Sequence, residues 1–550
     1  MAADSGGAVS DRPETRDSAD TTGRDVRTVS GLTLASRLLG LVRDLITVRV
    51  FGDTAIGSAF AAAFAIPNLF RRLFGEGALS AAFLPTYTQL SESEPSKARA
   101  LASKTVRWLV MVTGVLTLLG AGAMVALIAT LPPDPDRTLS LGLIAAMLPF
   151  MPLICTAAIL GGMLQAHGRF GPWAAAPIIL NLCLIGTAAG YFLTGRGDAE
   201  PWAYALAGAA VLSGVLQVLW SLAALRPYAP PPASLPVDVR GESRDLFARF
   251  LPAVIGLGTL QINALIDTLI AMWPVWVGST VLGYDYPLDE ASNAILFYTQ
   301  RLYQFPLGVF GIAVATVAFP QLSRAAARDR TADNDPLADT LRKGLRLSLF
   351  IGLPASAGLF LVADDLVRTV LTGGDGFSED GAARSVAALK GYAVAVWAYS
   401  LNHVFVRAFY AVGDTVTPVR IAAFFVGVNL ALNLTLIWFF REAGMAWATA
   451  ASAVLQTVTL AFVLRSKQLR GRLADRDTVK AVGRMALATA VMVVALSVLD
   501  TAFGTRADWG RHAAALGVLT VGGAGVFTAL AARLEIPELK TLMGSVRGKL

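Results

Sequence analysis

VLQVLWSLAALR, residues 215–226, returns about 240 residues later as VLQTVTLAFVLR, residues 454–465. The two stretches share length, the opening VLQ and the closing LR, and each ends an apolar run of helical length. Low-complexity apolar sequence produces such matches by chance, so the pair gains weight from others at a similar separation. QAHGRFGP (165–172) is answered by YAVGDTVTP (410–418), and AFLPTYTQLS (82–91) by AFPQLSRAA (318–326). The chain therefore reads as two related halves.

The material of those halves is membrane-spanning. Of 550 residues 55% are hydrophobic and 15% charged, and the mean hydropathy of +0.58 lies outside the range of soluble domains. Apolar windows of about 20 residues, enough to cross a hydrocarbon layer as a helix, recur fourteen times: near 30–50, 57–88, 105–131, 139–166, 172–194, 201–225, 247–275, 291–320, 344–371, 385–411, 418–440, 443–465, 480–503 and 511–533. The expected fold is an all-α integral membrane protein with an N-terminal lobe over 29–245 (helices 1–6) and a C-terminal lobe over 246–470 (helices 7–12). Residues 471–550 supply helices 13 and 14 and a short tail, and residues 1–28, polar and mixed in charge, read as a disordered tail without a signal peptide. Six helices per copy is an even number, so the halves are parallel about an axis along the membrane normal, an arrangement transporters use with a substrate site between the copies.

Lys97, Arg99, Lys104, Arg169, Arg226, Arg240, Arg244, Arg324, Arg328, Arg330, Arg420, Lys467, Arg470, Arg472 and Arg476 all fall in loops after even-numbered helices. Loops after odd-numbered helices are poor in cations or acidic, as in GYDYPLDEAS (283–292) and GGDGFSEDG (373–381). The positive-inside rule then puts both termini in the cytoplasm. The net charge of +7 is thus a topology signal, and nucleic acid is not a partner. Cys155 and Cys183 sit in apolar runs as small hydrophobes, so no redox chemistry or cofactor is indicated.

Charges inside the spans are the functional clues, because one at the bilayer centre costs about 3 kcal/mol or more and therefore faces a wet cavity or a partner. The first span carries Arg37, Arg43 and Asp44; the second carries Asn68, Arg71, Arg72 and Glu76, with Arg72 and Glu76 spaced for an i to i+4 pair. The eighth carries Arg301, with no acid at helical spacing around it. If these helices meet, Arg37, Arg43, Arg71 and Arg301 line one cavity with an uncompensated positive charge, whose forked donors suit phosphate oxygens. Asp267, the deepest acid of the second half, either binds a coupling cation or neutralises an arginine. Arg49 lies at a span end and reaches the interface, Asp364 and Asp365 reach water, and Lys390 and Arg407 are open as to role. His167, His403 and His512 are scattered along the chain, which does not suit a lipid-modifying enzyme.

SRLLGLVRD (36–44), AIPNLFRRLFGEGALSAAFLP (65–85), RLYQFPLGVFGIAVAT (301–316) and GDTVTPVRIA (413–422) resemble the signature stretches of the MurJ/MviN family of lipid II flippases. The resemblance implies the MOP exporter fold: two six-helix lobes around a cavity opening alternately to each side, plus two C-terminal helices bordering a groove for a lipid tail. It implies a transporter rather than an enzyme, in the bacterial cytoplasmic membrane, for the lipid-linked disaccharide-pentapeptide of peptidoglycan, with cell-wall synthesis and division proteins as partners. By motif position it puts the essential arginines on Arg37, Arg43, Arg71 and Arg301, with Asp44, Asn68, Arg72 and Glu76 in support. It also implies a Na⁺ site in the C-terminal lobe, to which Asp267 corresponds, and coupling to Na⁺, H⁺ or the membrane potential. Many relatives have an acid where this chain has Ser58, and often one where it has Gln300, so its cavity is the more positive. A flippase for another polyprenyl-diphosphate saccharide shares the anion logic; a drug or cation exporter of the same superfamily calls for acids in place of the arginines.

Overall fold

The computed structural model describes residues 14–75, 78–195, 197–228, 238–308, 321–327, 335–372, 376–469, 473–504, 506 and 508–547. Among them the chain is helical apart from one hairpin, Thr280–Val281 with Tyr284–Asp285. The N-terminal lobe comprises α1 (Glu14–Phe51), α2 (Ala55–Phe70), α3 (Ala78–Ser93), α4 (Pro95–Thr130), α5 (Pro135–Met147), α6 (Phe150–Ala166), α7 (Phe170–Leu193) and α8 (Ala199–Leu225). The C-terminal lobe follows as α9 (Arg240–Ala271), α10 (Trp273–Trp276), α11 (Ser292–Pro306), α12 (Pro336–Leu361), α13 (Ala363–Val370), α14 (Glu379–Ala393), α15 (Val396–Ala411) and α16 (Val416–Val463). Then come α17 (Arg476–Ala502), α18 (Trp509–Arg533) and α19 (Pro537–Arg547).

Eight helices among the described residues are long and apolar enough to cross a membrane, one of them the double-length α16. Their mean hydropathies of 1.5–2.3 account for the third to sixth, ninth and eleventh to fourteenth expected spans. The first, second, seventh, eighth and tenth are helical as well, the eighth as far as residue 308, but are broken or carry charge.

Several single spans are two helices end to end. The fourth breaks at Leu148 and Pro149; Pro152 has no N–H to give the Leu148 carbonyl, which accepts instead from the Met151 N–H at 2.9 Å and from the Thr117 hydroxyl of α4 at 3.3 Å. The second departs from α-geometry in a π-turn over Arg71–Gly75. In α16 the arms 416–440 and 442–463 fold back on each other through Arg441 alone, at φ 51° and ψ −130°. A Cβ on Gly444 would lie 2.3 Å from the Leu436 carbonyl oxygen, so the hairpin needs glycine there. Arg441, in a backbone region that favours glycine, is held by the Pro287 carbonyl at 3.1 Å and Asp289 at 2.5 Å.

A further helix, α19, follows α18 and is tied to α12 by Arg346 and Glu538 at 2.8 Å. Two expectations are corrected. Helix begins at Glu14, inside the stretch read as disordered. Asp365 does not reach water: it is 1% exposed, accepts from His512 Nδ1 at 2.7 Å and faces Arg506 at 3.3 Å, joining α13 to α18. A carboxylate can be buried there because two cationic or donor groups replace its water.

The N-terminal lobe packs around Phe83, Leu143, Met147 and Phe150. The C-terminal lobe has one core around Ile295, Tyr298, Leu389 and Tyr392 and another, shared with α17 and α18, around Phe405, Phe409 and Met485. The lobes touch along α2 with α11 and α3 with α9. At the end carrying the acidic loops they are latched. Asp53 accepts from the Ser378 backbone N–H at 2.7 Å and from the Ser378 hydroxyl. Ser58 accepts from Asn293 Nδ2 at 2.8 Å on its carbonyl and from the Ala294 N–H at 2.9 Å on its hydroxyl. Beside them Gly52, at φ +61°, meets Gly376 so closely that a Cβ on Gly52 would fall 1.3 Å from the Gly376 carbonyl oxygen.

Candidate functional site

Between the lobes lies a cavity of about 550 Å³ lined from α1, α2, the π-turn, α7, α9 and α11. Arg37, Arg43, Arg71, Arg72 and Arg301 all border it, as do Asn68 and Asp267. The π-turn explains how two adjacent arginines both reach it: the wider turn shifts the register of Arg71 and Arg72 relative to α2. Glu76 lies outside the described residues.

The arginines are held rather than loose. Arg43 donates to Asp44 Oδ1 through Nε at 3.0 Å and Nη2 at 2.7 Å, and through Nη1 to Asn181 Oδ1 at 2.9 Å. Asn181, 3% exposed, in turn donates to the Ser36 carbonyl at 3.0 Å, fixing α7 to α1. Arg301 Nε faces Asp44 Oδ2 at 3.6 Å, its Nη1 donates to Gln304 at 3.3 Å, and its guanidinium lies over the Phe297 ring at 4.6 Å. Arg71 Nε donates to Asn68 at 3.4 Å. Arg37 extends to Gly308, where a Cβ would sit 2.7 Å from its Nη1.

The expectation of an uncompensated cluster is therefore corrected in one respect: Asp44, bridging Arg43 and Arg301, supplies a counter-charge across the lobe interface. The absence of acids near Arg301 along its own helix gave no warning, because the partner comes from α1. The lining remains cationic, with five arginines against Asp267.

On the opposite wall Asp267 of α9 meets the two arms of α16. Asn433 Nδ2 donates to Asp267 Oδ1 at 2.7 Å and to Asn429 Oδ1 at 3.1 Å, while Asn263 reaches Asp267 Oδ2 at 3.4 Å. Asn429 also reaches the Thr449 hydroxyl at 3.5 Å. Asn433 is fully buried and its Oδ1 has no hydrogen-bond partner among the described residues. Sequence reasoning found Asp267 but missed Asn429, Asn433 and Thr449; the i to i+4 asparagines in VNLALNLTL (428–436) were the available signal.

The other charges play no part in the cavity. Arg49 is exposed at the end of α1, and neither Lys390, over the Phe360 ring at 5.7 Å, nor Arg407 borders it. Ser58 joins the lobes and Gln300 donates to Tyr392 at 3.2 Å.

A cavity at the seam of two parallel helical lobes, cationic on one wall and amide-rich on the other, belongs to a transporter. The fold is that of the MOP superfamily: an inward-facing multidrug resistance MATE transporter aligns with a TM-score of 0.63 at 13% identity, over 80% of this chain and 98% of its own. A solved lipid II flippase MurJ in an inward closed conformation aligns at 0.70 and 21% identity, over 92% of this chain and 98% of its own. In sequence, a family model described as lipid II flippase MurJ matches residues 47–514. A probable lipid II flippase MurJ of Vibrio cholerae is 33% identical over 92% of this chain and 94% of its own length, and one of Rhizobium meliloti 31% identical over 86% and 85%. The chain belongs to the MurJ family of lipid II flippases.

Proposed function

We propose that the protein carries lipid II, a polyprenyl diphosphate bearing a disaccharide-pentapeptide, from the cytoplasmic to the outer leaflet of a bacterial membrane by alternating access. The observation that carries this is the convergence of Arg37, Arg43, Arg71 and Arg301 from three helices onto one cavity. A diphosphate offers oxygens in the geometry that guanidinium forks bind bidentately, and a carrier of cationic drugs has no use for such a wall. The lipid tail stays in the bilayer while the head group crosses with the arginines, and enzymes that polymerise cell wall consume the product outside. With both termini cytoplasmic, as the loop cations favour, the latched end faces outward and an inside-negative potential assists export of the anion.

A coupling cation is bound at Asp267 with the side-chain oxygens of Asn429, Asn433 and Thr449, an oxygen set suited to Na⁺. The unpartnered Asn433 Oδ1 fits this: turning over that amide aims a third oxygen at the space between Asp267 and Asn429, where Nδ2 now stands.

The test is complementation of cells depleted of their own lipid II flippase, with lipid II on the outer surface quantified. Wild type restores exposure, and Arg37→Ala, Arg43→Ala, Arg71→Ala and Arg301→Ala at matched membrane levels each lose it. Failure of wild type overturns the substrate; full activity of the variants overturns the role of the arginines.

A further inference from the structure

Away from the central cavity a second cavity, of about 310 Å³, lies between α4 and α9. On α4 it is bordered by Lys104, Arg107, Trp108 and Met111, an i, i+3, i+4, i+7 set on one face, and on α9 by Ser243, Leu246 and Phe247. Trp108 and Phe247 meet edge to face at 4.7 Å and form its floor.

Its charge is unbalanced. Two turns nearer the start of α4, Lys97 is matched by Glu94 at 2.9 Å and Glu242 at 3.9 Å. Lys104 and Arg107 make no ion pair among the described residues; Arg107 Nε donates only to the Ser103 carbonyl of its own helix, at 3.2 Å. Their depth is telling. From Trp108 to Thr130 α4 carries no charge, so these two cations stand where the hydrocarbon begins, the level of phospholipid head groups, with a tryptophan of the interfacial belt beside them. Met111, 60% exposed on the same face, opens the cavity toward the acyl region.

We infer that this is a binding site for an anionic phospholipid of the adjoining leaflet, its phosphate on Lys104 and Arg107 and its glycerol and first methylenes on Trp108, Met111 and Phe247. The apolar floor distinguishes a lipid from free phosphate, which has nothing to set against it. Because α4 belongs to one lobe and α9 begins the other, a seated lipid spans their seam.

The probes are phosphatidylglycerol and phosphatidylcholine, added to the detergent-purified full chain and read as retained lipid by native mass spectrometry. Wild type retains phosphatidylglycerol in preference. Each basic residue near a membrane surface contributes roughly fivefold to such attraction, so Lys104→Gln with Arg107→Gln lowers the preference about thirtyfold, each single change takes a share, and Arg107→Lys keeps most of it. Arg301→Ala, in the central cavity, leaves it intact, and millimolar inorganic phosphate does not displace the lipid. Equal retention of the two lipids, an unchanged preference in both single variants and the double variant, loss with Arg301→Ala, or displacement by phosphate overturns the proposal.

Discussion

Asp44 shows how a residue that sequence reasoning placed in support becomes central once the helices are packed. Its carboxylate holds Arg43 from its own helix and faces Arg301 from the other lobe, so under the proposed function an arriving diphosphate would compete with it for the same guanidinium groups. Asp44→Asn should therefore leave lipid II binding to the purified protein equal or tighter while lowering lipid II exposure in cells several-fold, since a ligand without a competitor leaves slowly. Weakened binding in this variant would show that the carboxylate only orients the arginines. The arginines themselves were legible because a charge in an apolar span is expensive. Asn181, Asn429 and Asn433 were not, because an amide lowers hydropathy little and gains its meaning from a partner far away in the chain.

Whole helices were legible where they are ordinary. The spans with long uncharged apolar runs are those that face lipid and pack structurally, and their positions follow from hydropathy. The first, second, seventh and eighth spans trade hydropathy for arginines, amides and Asp267, and those four bring every charged side chain that lines the cavity, while the apolar fifth span contributes Asn181. What hydropathy does not encode is where a span breaks, since the π-turn at Arg71–Gly75 and the turn at Arg441 depend on neighbours. That last turn yields a pH prediction. Burial alone raises the Asp289 carboxyl, but the Arg384 and Ser292 hydrogen bonds and the charges of Arg384 and Arg441 outweigh it and hold the group below its ordinary 3.8. A carboxyl depressed by folding stabilises the fold above its unfolded value and ceases to do so as pH falls through the folded one. Thermal stability should hold from neutrality to mild acid and decline below about pH 4, and Asp289→Asn should be less stable than wild type at pH 7 but converge on it in acid. A constant gap at every pH would assign the loss to shape rather than charge.

For the molecule as a whole, the internal repeat foretold two lobes and the charge pattern foretold the cavity, yet neither foretold the latch, whose parts, Gly52 with Gly376, Asp53 with Ser378 and Ser58 with Asn293, follow no sequence pattern. Gly52→Ala sets a Cβ against the Gly376 carbonyl and forces a side chain into positive φ, so the latched end should open more often. In a background with Cys155 and Cys183 replaced, a cysteine at the buried Ala294 should react several-fold faster with a membrane-impermeant maleimide when Gly52 is alanine. An unchanged rate would mean that α2 and α11 alone keep the end closed. The pairing at Asp44 also bears on the half of the cycle in which nothing is transported. A carrier that delivers an anion must come home without it, and a bare ring of guanidinium groups would oppose that journey through a medium of low dielectric. In the proposed cycle Asp44 would travel with the protein as a stand-in passenger, vacating Arg43 and Arg301 on the loaded trip and reoccupying them on the return, so that the vacant carrier is not stranded by its own affinity for anions.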